Sequence, residues 1–159
     1  MIVVSDTTPL NILAQLGLID LLPQLFGAVI LTPGVVKELS HPSTPDIVKA
    51  VLEGPPPWLT ILAPTMLLAT PLPSGLGERE AISLAAELHA DLLLADDKQA
   101  RKTAQALGIT VIGTLGILDA AARRGLVDFA DAIARLKRTN FHVSAKLLDA
   151  VLKQHEQGS

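Results

Sequence analysis

Ile2-Val3-Val4-Ser5-Asp6-Thr7-Thr8-Pro9 opens the chain with a short, uniformly apolar run, one acid, and a Thr-Pro pair that reads as a helix cap. Uniform apolarity over so few residues predicts a strand buried on both faces, as in the centre of a parallel sheet. Threonine before proline places Thr8 as N-cap and Pro9 at the first helical position. Leu92-Leu93-Leu94-Ala95-Asp96-Asp97-Lys98 repeats the pattern farther along the chain. In open α/β sheets, the carboxyl ends of strands face the ligand crevice, which is where these acids fall.

Outward from these two stretches, short apolar runs alternate with longer helical patterns, the mark of βαβ units. The expected strands are Ile2 to Ser5, Ala28 to Leu31, a weaker edge strand from Trp58 to Leu62, Asp91 to Ala95, and Thr110 to Ile112. Helices are expected at Leu10 to Leu16, Ile19 to Phe26, after Thr32-Pro33, Ser43 to Leu52, Glu78 to His89 and Lys98 to Leu107. Three more follow at Leu115 to Arg124, Phe129 to Lys137 and Ser144 to His155. The uncharged, proline-containing stretch from Ala63 to Leu76 reads as a loop.

The chain has 159 residues, long enough for one domain with a sizeable core, taken as residues 1–159. Its apolar content is 49 % with only 3 % aromatic, so aliphatic side chains must fill the interior. No apolar run is long enough to span a bilayer, and no basic leader precedes the first strand, which points to a cytoplasmic protein. Cysteine is absent, which excludes disulfides, thiolate metal sites and a cysteine nucleophile. The formal charge of −3 argues against indiscriminate nucleic-acid binding. Basic residues nevertheless cluster locally at Lys98, Arg101 and Lys102, and again at Arg135, Lys137 and Arg138. The C-terminal helices, residues 128–155, carry apolar stripes that pack either on this domain or on a partner.

Four acidic positions carry the chemistry. Asp6 follows the first strand. Glu38 lies on the helix after Thr32-Pro33, one step from the face of Val35 and Leu39. Glu78 and Glu80 open a helix and project from different sides, and helical geometry does not choose between them. Of Asp96 and Asp97, one is expected to cap the helix at Lys98 and the other to enter the crevice. Acids in a first helical turn also favour the helix dipole, the plainer explanation for Glu78 and Glu80. Gathered together, carboxylates suit hard cations such as Mg²⁺ or Mn²⁺, which support phosphodiester hydrolysis. The histidines His41, His89, His142 and His155 lack zinc-ligand spacing. No nucleophile elbow or P-loop is present.

In this order, the segments Val3 to Leu10, Thr32-Pro33-Gly34-Val35-Val36-Lys37-Glu38-Leu39, Gly77-Glu78-Arg79-Glu80-Ala81-Ile82, Leu92 to Arg101 and Val111-Ile112-Gly113-Thr114-Leu115-Gly116 resemble the PIN-domain family. Within it they resemble a PIN-like group known as VapC-type toxins. The resemblance implies a three-layer α/β/α sandwich with a central parallel sheet, and a Mg²⁺- or Mn²⁺-dependent endoribonuclease. Carried over, Asp6 and Glu38 are the first and second acids. Glu80 best matches the third, with Glu78 a close competitor, and the fourth is Asp97 or Asp96. Thr7 or Thr8 fills a hydroxyl position beside Asp6, and Lys98 and Arg101 hold phosphates. RNA is the implied substrate and a small antitoxin the implied partner, and homodimers are common among relatives. Two alternatives compete: a PIN-like module that binds RNA or protein without cleaving, and a haloacid-dehalogenase-type phosphatase. The phosphatase lacks the second aspartate of its first motif, where Thr8 stands, and its expected lysine between Lys49 and Lys98.

Overall fold

A computed structural model describes residues 1–69, 75–141 and 145–158. Among these residues five short strands form one all-parallel sheet: β1 (Val3–Ser5), β2 (Val29–Leu31), β3 (Leu59–Ile61), β4 (Leu92–Leu94) and β5 (Val111–Ile112). Their spatial order is β3-β2-β1-β4-β5. The chain winds outward from β1 through β2 to β3, then crosses back to β4 and out to β5. The order therefore reverses between β1 and β4, and at such a switch point the loops leaving adjacent strands separate to open a crevice. Val3, Val4 and Ser5 pair in register with Leu92, Leu93 and Leu94. The Asp6 amide extends this ladder, donating to the Leu94 carbonyl at 2.8 Å. Both expected acid-bearing loops are thus neighbours at one sheet end.

Among the described residues nine helices surround the sheet: α1 (Thr7–Gln15), α2 (Leu21–Phe26), α3 (Pro33–Glu38), α4 (Asp46–Glu53), α5 (Leu76–Glu87), α6 (Lys98–Ala106), α7 (Thr114–Arg123), α8 (Phe129–Leu136) and α9 (Ala145–Gly158). α7 packs on α1 and α2, while α5 packs on α6, β1 and β4. Two helical layers thus enclose the sheet, the expected three-layer arrangement. The buried core is aliphatic: Val4, Leu10, Leu13, Leu31, Leu84, Leu93, Leu94, Ile117 and Leu118 are all sealed from solvent. Phe129 and Ile133 of α8 and Leu148 of α9 join the same core.

Three expectations shift. α1 begins at Thr7, so Thr8 is its second residue and not its cap, and Asp6 takes the N-cap position without a side-chain capping bond. Pro9 then falls in the first turn, where an amide has no intrahelical partner and proline costs nothing. α5 begins at Leu76, two residues earlier than the charge pattern implied, and ends at Glu87. His89, expected inside it, adopts φ +50° in the turn that follows. The Thr32-Pro33 signal holds, with the Thr32 hydroxyl accepting from the Val35 amide at 3.3 Å. His142 and residues 70–74 of the Ala63 to Leu76 stretch lie outside the described residues.

Candidate active site

Asp6 leaves β1 and is only 4 % exposed. Among the described residues nothing gives its buried Oδ1 a hydrogen bond, an unusual condition for a carboxylate oxygen. Burial raises its pKa to about 7, against the Thr7 amide, which lowers it, and with further upward pushes from Glu38, Asp97 and Asp96. Glu78, half-buried on α5, is raised to about 8, by burial first and then by Asp6, Asp97 and Glu38. Asp6, Glu38, Glu78 and Asp97 therefore share one electrostatic neighbourhood with no cation among the causes.

Glu38 ends α3 and is clamped from two sides. Its Oε2 accepts from the Thr7 hydroxyl at 2.6 Å, and its Oε1 from the Gly77 amide at 3.0 Å. The clamp requires glycine, since a Cβ on Gly77 would lie 2.6 Å from the Glu38 carboxyl carbon. Glu80, the preferred third acid of the sequence reading, turns the other way. It is buried, and its Oε1 accepts from the Gly34 amide at 3.0 Å. α3 and α5 thus exchange carboxylates: each offers a Glu to a first-turn amide of the other. Such amides have no partner within their own helix, and their positive dipole end favours a carboxylate. The charges of Asp6 and Asp97 act on Glu78, while the Glu80 carboxylate is taken up by Gly34.

The two aspartates after β4 also divide. Asp97 is the N-cap of α6, its Oδ2 accepting from the Ala100 amide at 2.9 Å, while its charge acts on Asp6 and Glu78. Asp96 turns toward α7, with Oδ1 accepting from the Thr114 amide at 2.8 Å and Oδ2 from the Thr114 hydroxyl at 2.5 Å. Burial raises its pKa despite the Thr114 bonds and the nearby Arg101 guanidinium, which both lower it. The expectation was one cap and one acid in the crevice. Instead Asp97 caps α6 while its charge acts on both Asp6 and Glu78, and Asp96 fastens the start of α7 while its charge acts on Asp6. Thr114 was not singled out from the sequence, although a threonine opening a helix after Gly113 is a capping signal of the kind read at Thr32.

Thr7 reaches the cluster through Glu38, whereas Thr8 is exposed on α1. Lys98 is exposed and Arg101 half-buried, both beside Asp96 in a groove along α6.

The sequence matches a family described as a PIN domain over residues 2–157. This chain belongs to the PIN-domain family. Proteins of this family are typically nucleases that commonly use divalent metals. This PIN domain shares its fold with a PilT N-terminus domain protein from the hyperthermophilic archaeon Sulfolobus solfataricus P2. The two are 21 % identical with a TM-score of 0.53, over 91 % of this chain and all of that one. No curated protein matches the sequence. Membership leaves the phosphatase alternative without support. No helix among the described residues is long and apolar enough to cross a membrane.

Proposed function

We propose that this PIN domain is a divalent-metal-dependent endoribonuclease, the toxin of a toxin–antitoxin pair, acting as a single domain on single-stranded or looped RNA. The observation that carries the reading is the buried Asp6 carboxylate, orphaned at Oδ1 among the described residues and set among Glu38, Glu78 and Asp97 at the switch point of the sheet. An all-oxygen, all-acidic donor set fits a hard cation, Mg²⁺ or Mn²⁺, and fits no soft metal. Asp6, Glu38, Glu78 and Asp97 would hold such an ion once drawn together around it. When bound, it supplies water activation and neutralises charge on the phosphodiester.

The chain's own groups do the rest. Thr7 and the Gly77 amide fix the Glu38 carboxylate, Asp97 is fixed by its cap, and Lys98 and Arg101 hold flanking phosphates. Glu80 and Asp96 are positioning residues, acting through α3 and α7. The toxin role and the antitoxin rest on the resemblance of the quoted segments to VapC-type toxins.

A second reading, a PIN-like module that binds without cleaving, is favoured by one observation. Among the described residues, no three acidic or histidine side chains are drawn close enough to hold one ion between them. The test is end-labelled, mixed-sequence RNA incubated with Mn²⁺ or with chelator, beside Asp6→Asn. Metal-dependent cleavage lost in the variant supports the nuclease. Folded, antitoxin-free protein that binds RNA regardless of metal and never cuts it supports the binding module.

A further inference from the structure

We propose that the groove between α6 and α9 seats a single-stranded stretch of RNA beside the acid crevice, with Arg101 gripping a phosphate and Phe141 stacking a base. The proposal rests on the ribonuclease reading above and adds a substrate subsite to it. The groove encloses about 1000 Å³. Asp96 and Lys98 line its near end, so it begins where Asp97, a member of the acid cluster, leaves off.

Its two walls differ in character. Lys98, Arg101 and Lys102 are spaced three and four residues apart on α6 and so share one face, opposite the buried Ala100 and Ala104. In a chain of net charge −3, this is a local concentration of cations and not a generally basic surface. Arg101 is half-buried, and among the described residues none gives its guanidinium a hydrogen bond or an ion pair. A partly desolvated guanidinium that feels the Asp96 charge but gives it no hydrogen bond is a fork suited to a phosphate. The far wall is apolar, with Val151 of α9 and the ring of Phe141. Phe141 is half-buried against the core, with its amide tied to the Thr139 hydroxyl at 3.2 Å. It is the aromatic of the groove among the described residues.

One wall of cations and one of apolar surface match a polymer with a charged edge and apolar faces. A single nucleic-acid strand has that character, since unpaired bases offer their faces to an aromatic ring. A duplex hides those faces in its own stack and offers only phosphates.

The test measures equilibrium binding of a fluorescent oligoadenylate carrying one 2-aminopurine, using the full chain in chelator so that nothing is cut. Wild type is expected to bind and to change the 2-aminopurine emission. Phe141→Leu, which keeps an apolar side chain but removes the ring, should weaken binding about ten-fold and abolish that change. Arg101→Gln should weaken binding and lower the salt slope by about 0.7. Lys153→Gln, on α9 but outside the groove, should bind as wild type. Circular dichroism establishes that each variant is folded. The proposal is overturned if both folded groove variants bind as wild type, if a duplex binds as well as the single strand, or if wild type binds no strand. Metal-dependent cleavage with unchanged binding in the variants removes the subsite alone. Weakened binding in the variants, with no cleavage by wild type under any metal, keeps the subsite and removes the ribonuclease reading.

Discussion

Glu78 and Glu80 stand two residues apart at the start of α5 and meet opposite surroundings. Glu80 is hydrogen-bonded to the Gly34 amide, whereas Glu78 has its pKa raised to about 8, by burial first and then by the charges of Asp6 and Asp97. Replacing each by glutamine separates the two roles. Glu80→Gln weakens a charge-assisted bond inside the fold and should cost about 1–3 kcal/mol of stability in urea titration. In protein kept folded, it should change RNA cleavage less than about ten-fold. Glu78→Gln removes a carboxylate that burial first, and then Asp6, Asp97 and Glu38, disfavour; metal-free stability above pH 8 should be equal or higher, while cleavage falls by about 100-fold or more. A reversal of the two outcomes would return the third-acid role to Glu80. The sequence located both residues but not their division of labour. A spacing of two sends helical side chains to different sides, and which side meets a free amide depends on where α3 lies. Asp96 and Asp97 pose the same problem, since only the folded chain brings Thr114 to Asp96.

At the scale of elements, the helix pair α3 and α5 sets the geometry of the crevice through two glycines. A Cβ on Gly34 would lie 2.7 Å from Glu80 Oε2, and one on Gly77 2.6 Å from the Glu38 carboxyl carbon. Glycine to alanine within a helix ordinarily gains up to about 1 kcal/mol. Gly77→Ala should instead destabilise by about 1–3 kcal/mol, because the methyl displaces a carboxylate bonded on both sides. It should also reduce cleavage, through Glu38. Thermal melts of Gly77→Ala beside Gly54→Ala make the comparison, since a Cβ at Gly54 meets nothing within 4 Å. An equal or higher melting temperature for Gly77→Ala would mean the helices separate easily and the clamp is loose. The elements themselves were largely legible: apolar runs marked all five strands, the Thr32-Pro33 cap was correct, and the weak run at Trp58 is an edge strand. The α1 boundary was not, because proline is tolerated anywhere in a first turn and so does not choose between Thr8 and Asp6 as cap. Gly34 and Gly77 carried a usable signal, since glycine inside a helix is unfavourable unless something approaches closely.

For the whole molecule, the crevice links protons, divalent cations and stability. Folded Asp6 keeps its proton up to about pH 7, against an ordinary value of 3.8, and folded Glu78 up to about pH 8, against 4.5. Between the ordinary and the raised values, the folded protein binds more protons than the unfolded chain. Stability therefore falls as pH rises through that window and levels off above it. Metal-free protein should melt at a higher temperature at pH 5.5 than at pH 8.5, the difference being on the order of 2 kcal/mol for a buried acid such as Asp6. Other carboxylates with lowered pKa, such as Asp119, act in the opposite direction at lower pH. Histidine side chains also change charge between about pH 6 and 8, so the crevice is read there as the difference between wild type and Asp6→Asn. Asp6→Asn should flatten the curve there, because it removes the buried carboxyl that gains a charge in this range and, with it, one of the charges acting on Glu78. Mn²⁺ should raise the melting temperature more at pH 8.5 than at pH 5.5, since a cation must displace the protons held in the crevice. Differential scanning calorimetry in chelator and in Mn²⁺, across that window, reads all three effects together. Melting temperatures in chelator that stay level or rise with pH would show the acids too far apart or too well hydrated to repel. A cation effect equally large at both pH values would place its binding away from Asp6 and Glu78.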